Sequence, residues 1–387
     1  DSRPAFLPSV SSIRNILEET IDLYGVRNWC GEYFDVNRAG EVVLAFASVR
    51  NAPVSLKDIV SELHQRGLTT PLVLRFPQLL DCQIRKLVEA FQTAIEEFGY
   101  QRAYIPAYPI KVNQKKEVVQ DVVKFGQRYN LGIEVGSKAE LTLALALTRN
   151  VESPIICNGV KDEAYLKLAL MSKQIGKKVF IVLESLFELR ILLSLSQTLG
   201  IRPLIGLRLK LSARGSGKWE KSSGDLSKFG FTTTDLLTCL KLLGEANLID
   251  CLNLLHFHIG SQVTDIKRIK YAVKEAARTY AKLQKLCPHL DYLDVGGGLG
   301  IDYDGSRTAS ESSVNYSVQE YANDIIYSIK EVCESEDVVE PIVITENGRM
   351  MAAPHAVLIF NVVNELSLSN GPVQVTNPDS KPEVIQE

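Results

Sequence analysis

Beyond residue 100 the chain alternates between short apolar runs and helical patterns. The apolar runs fall near 104–110, 132–135, 155–158, 179–184, 204–211, 252–259, 292–295 and 342–346. Helical periodicity fills most of the gaps, as in Lys138–Leu147, Glu163–Gln174, Leu186–Leu199, Ile266–Leu286 and Val318–Cys333. Strands that are apolar on both faces and joined by helices pair in parallel. Eight such units in roughly 240 residues match the size of a (β/α)8 TIM barrel of the α/β class. A doubly wound open sheet is the alternative, but no early GxGxxG follows a first strand.

The first hundred residues follow another rhythm. Residues 1–30 read as an amphipathic opening segment. Tyr33–Asn37 and Glu41–Phe46 read as a hairpin whose turn is relieved by Gly40. A helix is expected around Leu56–Arg66 and stops at Gly67, a strand at Leu72–Pro77, and a helix at Gln83–Phe98 closed by Gly99. The expected organisation is a flanking segment at 1–100, a barrel at 101–365, and a polar tail or linker at 366–387. Two polar loops interrupt the barrel pattern, one rich in Gly and Ser at Ser212–Gly230 and one at Tyr303–Asn315.

Composition narrows the class. The net charge of −3 is spread along the chain, so no basic stripe points to nucleic acid. No apolar run is long enough to span a membrane. Asp1–Val10 lack a basic region and an apolar core, so no signal peptide is expected; a start at Asp1 leaves room for an upstream segment removed or not included. Seven cysteines without CxxC spacing fit a reducing intracellular compartment, cytoplasm or plastid, and the five histidines form no zinc pattern.

Strand ends carry the chemistry of a barrel. An apolar, aromatic run from Ala103 to Ile110 stops at Lys111. A lysine half-sunk in an apolar wall loses hydration, so its amine is expected to deprotonate more easily and act as a nucleophile. A lysine snorkelling at a strand end is the plainer reading. Other strands end in Glu134, in Asn158, at Arg208, in His256-Phe257-His258, in Asp294 before Gly296-Gly297-Gly298, and in Glu346 before Arg349. Glycine amides can approach an anion closely, and an arginine after the eighth strand completes a barrel phosphate site, although Gly-rich turns are commonly only turns. His256 and His258 share a strand face; each is either a core histidine or a ring able to stack on a flat cofactor. Glu346 is a carboxylate delivered by Ile-Val-Ile-Thr, costly to bury unless a cation meets it. That cation is Arg349 or another basic residue, or the protonated nitrogen of a pyridine. Lysine, ring, phosphate cradle and acid together describe a pyridoxal 5'-phosphate site.

These residues carry a resemblance. Tyr33–Gly40, Pro109–Gln114, Gly132–Leu141, Ile156–Asp162, Gly215–Gly230, Leu255–Gln262, Tyr292–Gly305 and Ser313–Cys333 resemble the biosynthetic arginine decarboxylases. These are fold-type III pyridoxal-phosphate enzymes related to alanine racemase and ornithine decarboxylase. The resemblance implies decarboxylation of L-arginine to agmatine, the first step toward putrescine and spermidine. It implies that Lys111 binds the cofactor covalently, His258 stacks on its ring, and Glu346 meets the pyridine nitrogen. Ser261, Gly296, Gly297, Gly298 and Arg349 hold the phosphate, with Glu134, Asn158 and Arg208 as supporting residues. Asp294, Asp302 and Tyr303 are associated with substrate, and magnesium with the family as a second cofactor. Members continue into a C-terminal β domain that completes the small β-barrel begun by the hairpin and supplies substrate-facing residues within a dimer or higher oligomer. This chain stops near the end of the barrel, so a C-terminal partner segment is expected elsewhere. Sister decarboxylases for ornithine, lysine or diaminopimelate would share the cofactor residues, and so would an inactive pyridoxal-phosphate-binding homologue.

Overall fold

The computed structural model describes residues 10–30, 33–45, 53–211 and 230–366. The loop expected from 212, the far end of the hairpin at Phe46 and the tail from 367 lie outside them. In chain order, the flanking segment contains helices α1 (Val10–Leu23) and α2 (Val26–Trp29) and strands β1 (Phe34–Val36), β2 (Val42–Leu44) and β3 (Val54–Ser55). It continues with α3 (Leu56–Gln65), β4 (Leu72–Arg75) and α4 (Pro77–Phe98). The hairpin is present, with Phe34 opposite Leu44 and Gly40 in the left-handed region, and β3 adds a third antiparallel strand. Helix α4 starts at Pro77 rather than Gln83. Proline at the first helical position loses no hydrogen bond, because that amide would be unpaired anyway, so Pro77 opens the helix instead of ending the strand.

The barrel consists of β5 (Tyr104–Pro109), β6 (Gly132–Val135), β7 (Ile155–Cys157), β8 (Val179–Leu183), β9 (Leu204–Arg208), β10 (Leu252–His256), β11 (Tyr292–Asp294) and β12 (Ile342–Thr345). Each neighbour pair is parallel, and β12 closes on β5, so no sheet edge is left open. The helices between them are α5 (Lys116–Gly126), α6 (Lys138–Leu147), α7 (Glu163–Gln174), α8 (Leu186–Leu199), α9 (Thr233–Glu245), α10 (Ile266–Gln284) and α11 (Val318–Glu336). Side-chain caps start most of them at fixed points after the strands: Ser137, Asp162, Ser185, Thr232, Asp265 and Ser317 each accept a first-turn amide. A short α12 (Gly348–Ala352) leads into β13 (Ala356–Ile359), which pairs antiparallel with β4 and ties the end of the barrel to the flanking segment.

Two apolar layers follow from the strand period of two. Val179, Ile181 and Leu183 point outward to the helices, whereas Phe180 and Val182 point inward with Ala107, Ile156, Leu254 and Ile344. Tyr292 packs edge-on against Phe180 at 4.9 Å and helps fill the interior. All seven cysteines are unpaired. No helix among the described residues is long and apolar enough to cross a membrane.

Candidate active site

Two residues beyond most of these inward apolar positions, the same pleat turns polar. Ile156 is followed by Asn158, Val182 by Glu184, Leu254 by His256, Tyr292 by Asp294 and Ile344 by Glu346. A strand that buries one member of such a pair inside the barrel must aim the other inward as well. Gly206, between the side chains of Leu254 and Val182, places Arg208 in the same ring. The C-terminal mouth is thus floored by polar groups standing on an apolar plug. Above that floor lies a cavity of about 430 Å³ lined by Lys111, Glu134, Asn158, Arg208, His256, His258, Ser261, Gly297, Gly298, Glu346 and Arg349, among others.

Lys111 sits in the single 3₁₀ turn Ile110–Val112 directly after β5. Its ammonium is 3.0 Å from the buried carboxylate of Glu134. Burial alone would lower this amine's pKa, but the Glu134 and Glu346 carboxylates reverse the shift and hold it above an ordinary lysine. This runs against the expectation of an easily deprotonated amine: the two carboxylates favour the charged form of the lysine. Asn158 joins the two acids, its Nδ2 donating to Glu346 at 2.8 Å and to Glu134 at 3.2 Å. Glu346 is pushed well above the usual carboxylate range by burial and by Asp294, and one of its oxygens has no donor. Arg349 is not its partner, and the nearest basic side chain paired with it is His256, whose Nδ1 lies 3.9 Å away.

Arg349 instead donates to the Ser261 hydroxyl from Nε at 3.2 Å and from a terminal nitrogen at 3.1 Å, and to the Tyr303 hydroxyl at 3.0 Å. Beside Ser261 run the three glycines. Gly296 has φ 66°, and a Cβ there would lie 2.4 Å from the Phe257 carbonyl; one at Gly297 would lie 2.9 Å from the Glu346 carbonyl. Only glycine lets this loop sit so close to its neighbours. His258 lines the cavity, and its Nδ1 accepts the Gly260 amide at 2.9 Å, so that nitrogen carries no proton. Burial, followed by Arg208 and Lys111, holds its pKa well below that of a free imidazole. A neutral ring, an amine, an acid short of a donor and a cationic cradle meet across one cavity. That donor set fits a flat heterocycle bearing an aldehyde, a ring nitrogen and a phosphate.

Lys111, Glu134, Asn158, Arg208, His258, Ser261, Gly297, Gly298, Glu346 and Arg349 line one cavity, and Gly296 supports it from behind. The three residues associated with substrate fall elsewhere. Asp294 is fully buried beneath the floor. Asp302 lies outside the cavity wall and accepts from the Ser313 hydroxyl at 2.6 Å. Tyr303 reaches the cavity only through Arg349. Sequence reasoning also passed over Glu184, which fixes Arg208 at 2.8 Å and accepts the Gly159 amide at 3.1 Å. Arg208 and Lys161 together keep the Glu184 pKa low despite burial. Applied to the end of β8, the strand-end rule would have found it. Among the described residues one trio, His256, Asp294 and Glu346, has metal-ligand spacing. It is buried and shares Glu346 with the cavity, whereas magnesium favours about six oxygens and retained water.

Residues 83–353 match the family described as pyridoxal-dependent decarboxylase, pyridoxal binding domain. The chain is 45% identical over 353 residues to a biosynthetic arginine decarboxylase of Bacteroides thetaiotaomicron, covering 91% of this chain and 56% of that one. It is 47% identical over 346 residues to one from Deinococcus radiodurans, covering 89% and 52%. The crystal structure of the biosynthetic arginine decarboxylase of Campylobacter jejuni superposes with a TM-score of 0.79 at 35% identity, over 87% of this chain and 54% of that one. The chain therefore spans about half the length of the relatives it matches. It belongs to the pyridoxal-dependent decarboxylases, through their pyridoxal binding domain.

Proposed function

We propose that this chain carries the cofactor-binding barrel of an arginine decarboxylase, which converts L-arginine to agmatine and carbon dioxide at the head of polyamine biosynthesis. The observation that carries this reading is the convergence of Lys111 and Glu346 on one cavity that the glycine loop, Ser261 and Arg349 also line. The relatives at 45% and 47% identity, named biosynthetic arginine decarboxylases, support the substrate. Pyridoxal phosphate, when bound, supplies a sink for the electron pair released as carbon dioxide leaves.

The chain's own residues do the rest. Lys111 holds the cofactor covalently. Ser261, Arg349 and the glycine amides bind the phosphate and fix the ring's position. His258 stacks on the ring face as a neutral imidazole. Glu346 holds a proton at the ring nitrogen, and Asn158 keeps that carboxylate in place. Glu134 keeps the Lys111 ammonium charged, so a proton is on hand when the lysine acts as an acid. Arg208, fixed by Glu184, adds positive charge to the same wall. Among the described residues the cavity's acids are Glu134 and Glu346, both already engaged. We therefore assign recognition of the guanidinium to an acid outside this wall, in further chain of the kind the longer relatives carry or in a second copy within a dimer.

Borohydride reduction of the chain loaded with pyridoxal phosphate, followed by peptide mapping, tests the assignment. Label on Lys111 is the expected result, and label on any other lysine overturns it.

A further inference from the structure

At the cavity floor, Asp294 at the end of β11, His256 at the end of β10 and Glu346 directly after β12 place their polar atoms within 4.8 Å of one another, all buried. Asp294 Oδ1 accepts the Gly296 amide at 2.9 Å, while Oδ2 lies 3.2 Å from His256 Nδ1. Asp294 Oδ2, His256 Nδ1 and Glu346 Oε2 all lack a hydrogen-bond partner. Three orphaned polar atoms in one buried box are uncommon, since each costs about 1–3 kcal/mol unpaired. Two ionised carboxylates and a neutral imidazole cannot share such a space without a proton between them.

We propose that Asp294 is a positioning residue that stores one proton beneath the floor, so that once a cation meets Glu346 from the cavity side the Asp294–Glu346 pair carries a single negative charge and that charge resides on Glu346. The inference rests on the reading of Glu346 as the ring-nitrogen acid. The proton on Oδ2 donates across the 3.2 Å gap to His256 Nδ1, which satisfies two of the three orphans. It also removes a like charge from behind Glu346, leaving the third orphan, Glu346 Oε2, free for the cationic ring nitrogen. Through Oδ1 the same side chain holds the amide of Gly296, so the glycine loop and the acid are set by one residue.

Glu346 from β12, His256 from β10, Glu134 from β6, Lys111 after β5, Tyr104 on β5 and Tyr321 on α11 all face this box. Burial raises the Asp294 carboxyl to about 7. Burial also depresses His256 to about 4, against the pull of Glu346, so the imidazole does not hold the proton at neutral pH.

Asp294→Asn reproduces the neutral, donating form, since its amide can still accept from Gly296 and donate to His256. The test uses the full chain freed of cofactor, so its failure is separable from failure of Lys111 labelling. Between the unfolded aspartate value of about 4 and a folded value near 7, the folded chain holds one proton that the unfolded chain has released. Stability therefore falls as pH rises through that window. The parent's unfolding equilibrium constant is expected to rise about tenfold per pH unit more steeply than that of D294N between pH 5 and 6.5. A second measurement needs no variant: ¹³C-aspartate NMR of the parent should show one carboxyl titrating near neutral pH. Equal slopes in the two proteins, or every aspartate titrating below pH 5, would overturn the proposal.

Discussion

At the level of single residues, the site is an exercise in keeping charges apart in a dry floor. Glu346 has burial and two neighbouring acids against its ionisation, with Lys111 and His256 opposing them. It becomes a stable anion only when a cation meets it. Glu346→Gln keeps the shape and the Asn158 contact but cannot hold a ring nitrogen protonated. With the C-terminal portion of a longer relative supplied to parent and variant alike, the variant should load pyridoxal phosphate to the same stoichiometry while agmatine formation falls on the order of 10- to 150-fold, the worth of a charge-assisted hydrogen bond of about 1.5–3 kcal/mol. Cofactor absorbance and product assay read the two effects separately, and activity within a few-fold of the parent would refute the role. Lys111, His258 and Glu346 were legible in the sequence because each closes an apolar run. What the sequence could not show is depth. Asp294 ends its strand as Glu346 does, yet one lines the cavity and the other is shut behind it, because their distances from the mouth depend on the stagger between strands.

Among elements, strands and helices were readable wherever the period was clean, and the errors were local. Pro77 hid the first turns of α4, and α9 escaped notice because it follows the long polar loop. Less visible still are the ties between neighbouring βα loops. Lys161, in the turn after β7, is wholly buried; its ammonium donates to the Gly159 carbonyl at 2.6 Å and lies 3.5 Å from Glu188 at the start of α8. Glu188 in turn accepts the amides of Lys161 and Glu184 at 3.0 Å and 2.9 Å, so one carboxylate staples two loops under Arg208. Burial pulls the Lys161 pKa down, and Glu188 and Glu184 resist. Lys161→Met strands a buried carboxylate and should cost about 3–5 kcal/mol of stability by urea unfolding. Adding Glu188→Gln, which removes the charge but keeps an acceptor, should restore part of it. A single variant within about 1 kcal/mol of the parent would show that the staple is dispensable.

For the whole molecule, the barrel accounts for cofactor chemistry but not for the choice of arginine. A guanidinium is selected by a planar carboxylate, and the cavity's two acids are committed to Lys111, Asn158 and the ring nitrogen. Beyond β13, Phe360, Val362, Val363 and Leu366 lie on the surface, with the last three at least 90% exposed. Large apolar patches left exposed mark interaction surfaces in soluble proteins. The three-stranded sheet β1–β3 and the pair β4–β13 are likewise small sheets with open edges, marginal by themselves in water. We propose that these surfaces take a second folded unit, which contributes the missing acid. We therefore expect residues 1–387 alone to bind pyridoxal phosphate, because Lys111 through Arg349 hold the whole cofactor set, and to form little agmatine. Supplying the C-terminal portion of a longer relative, in cis or as a separate chain, should raise agmatine formation by at least about 100-fold, a change of about 3 kcal/mol in transition-state binding. It should also protect Val362 and Val363 from hydrogen exchange. Full turnover by the isolated chain would place the guanidinium pocket within these residues after all. Cofactor loss without the added portion would show that the barrel does not assemble its floor unaided.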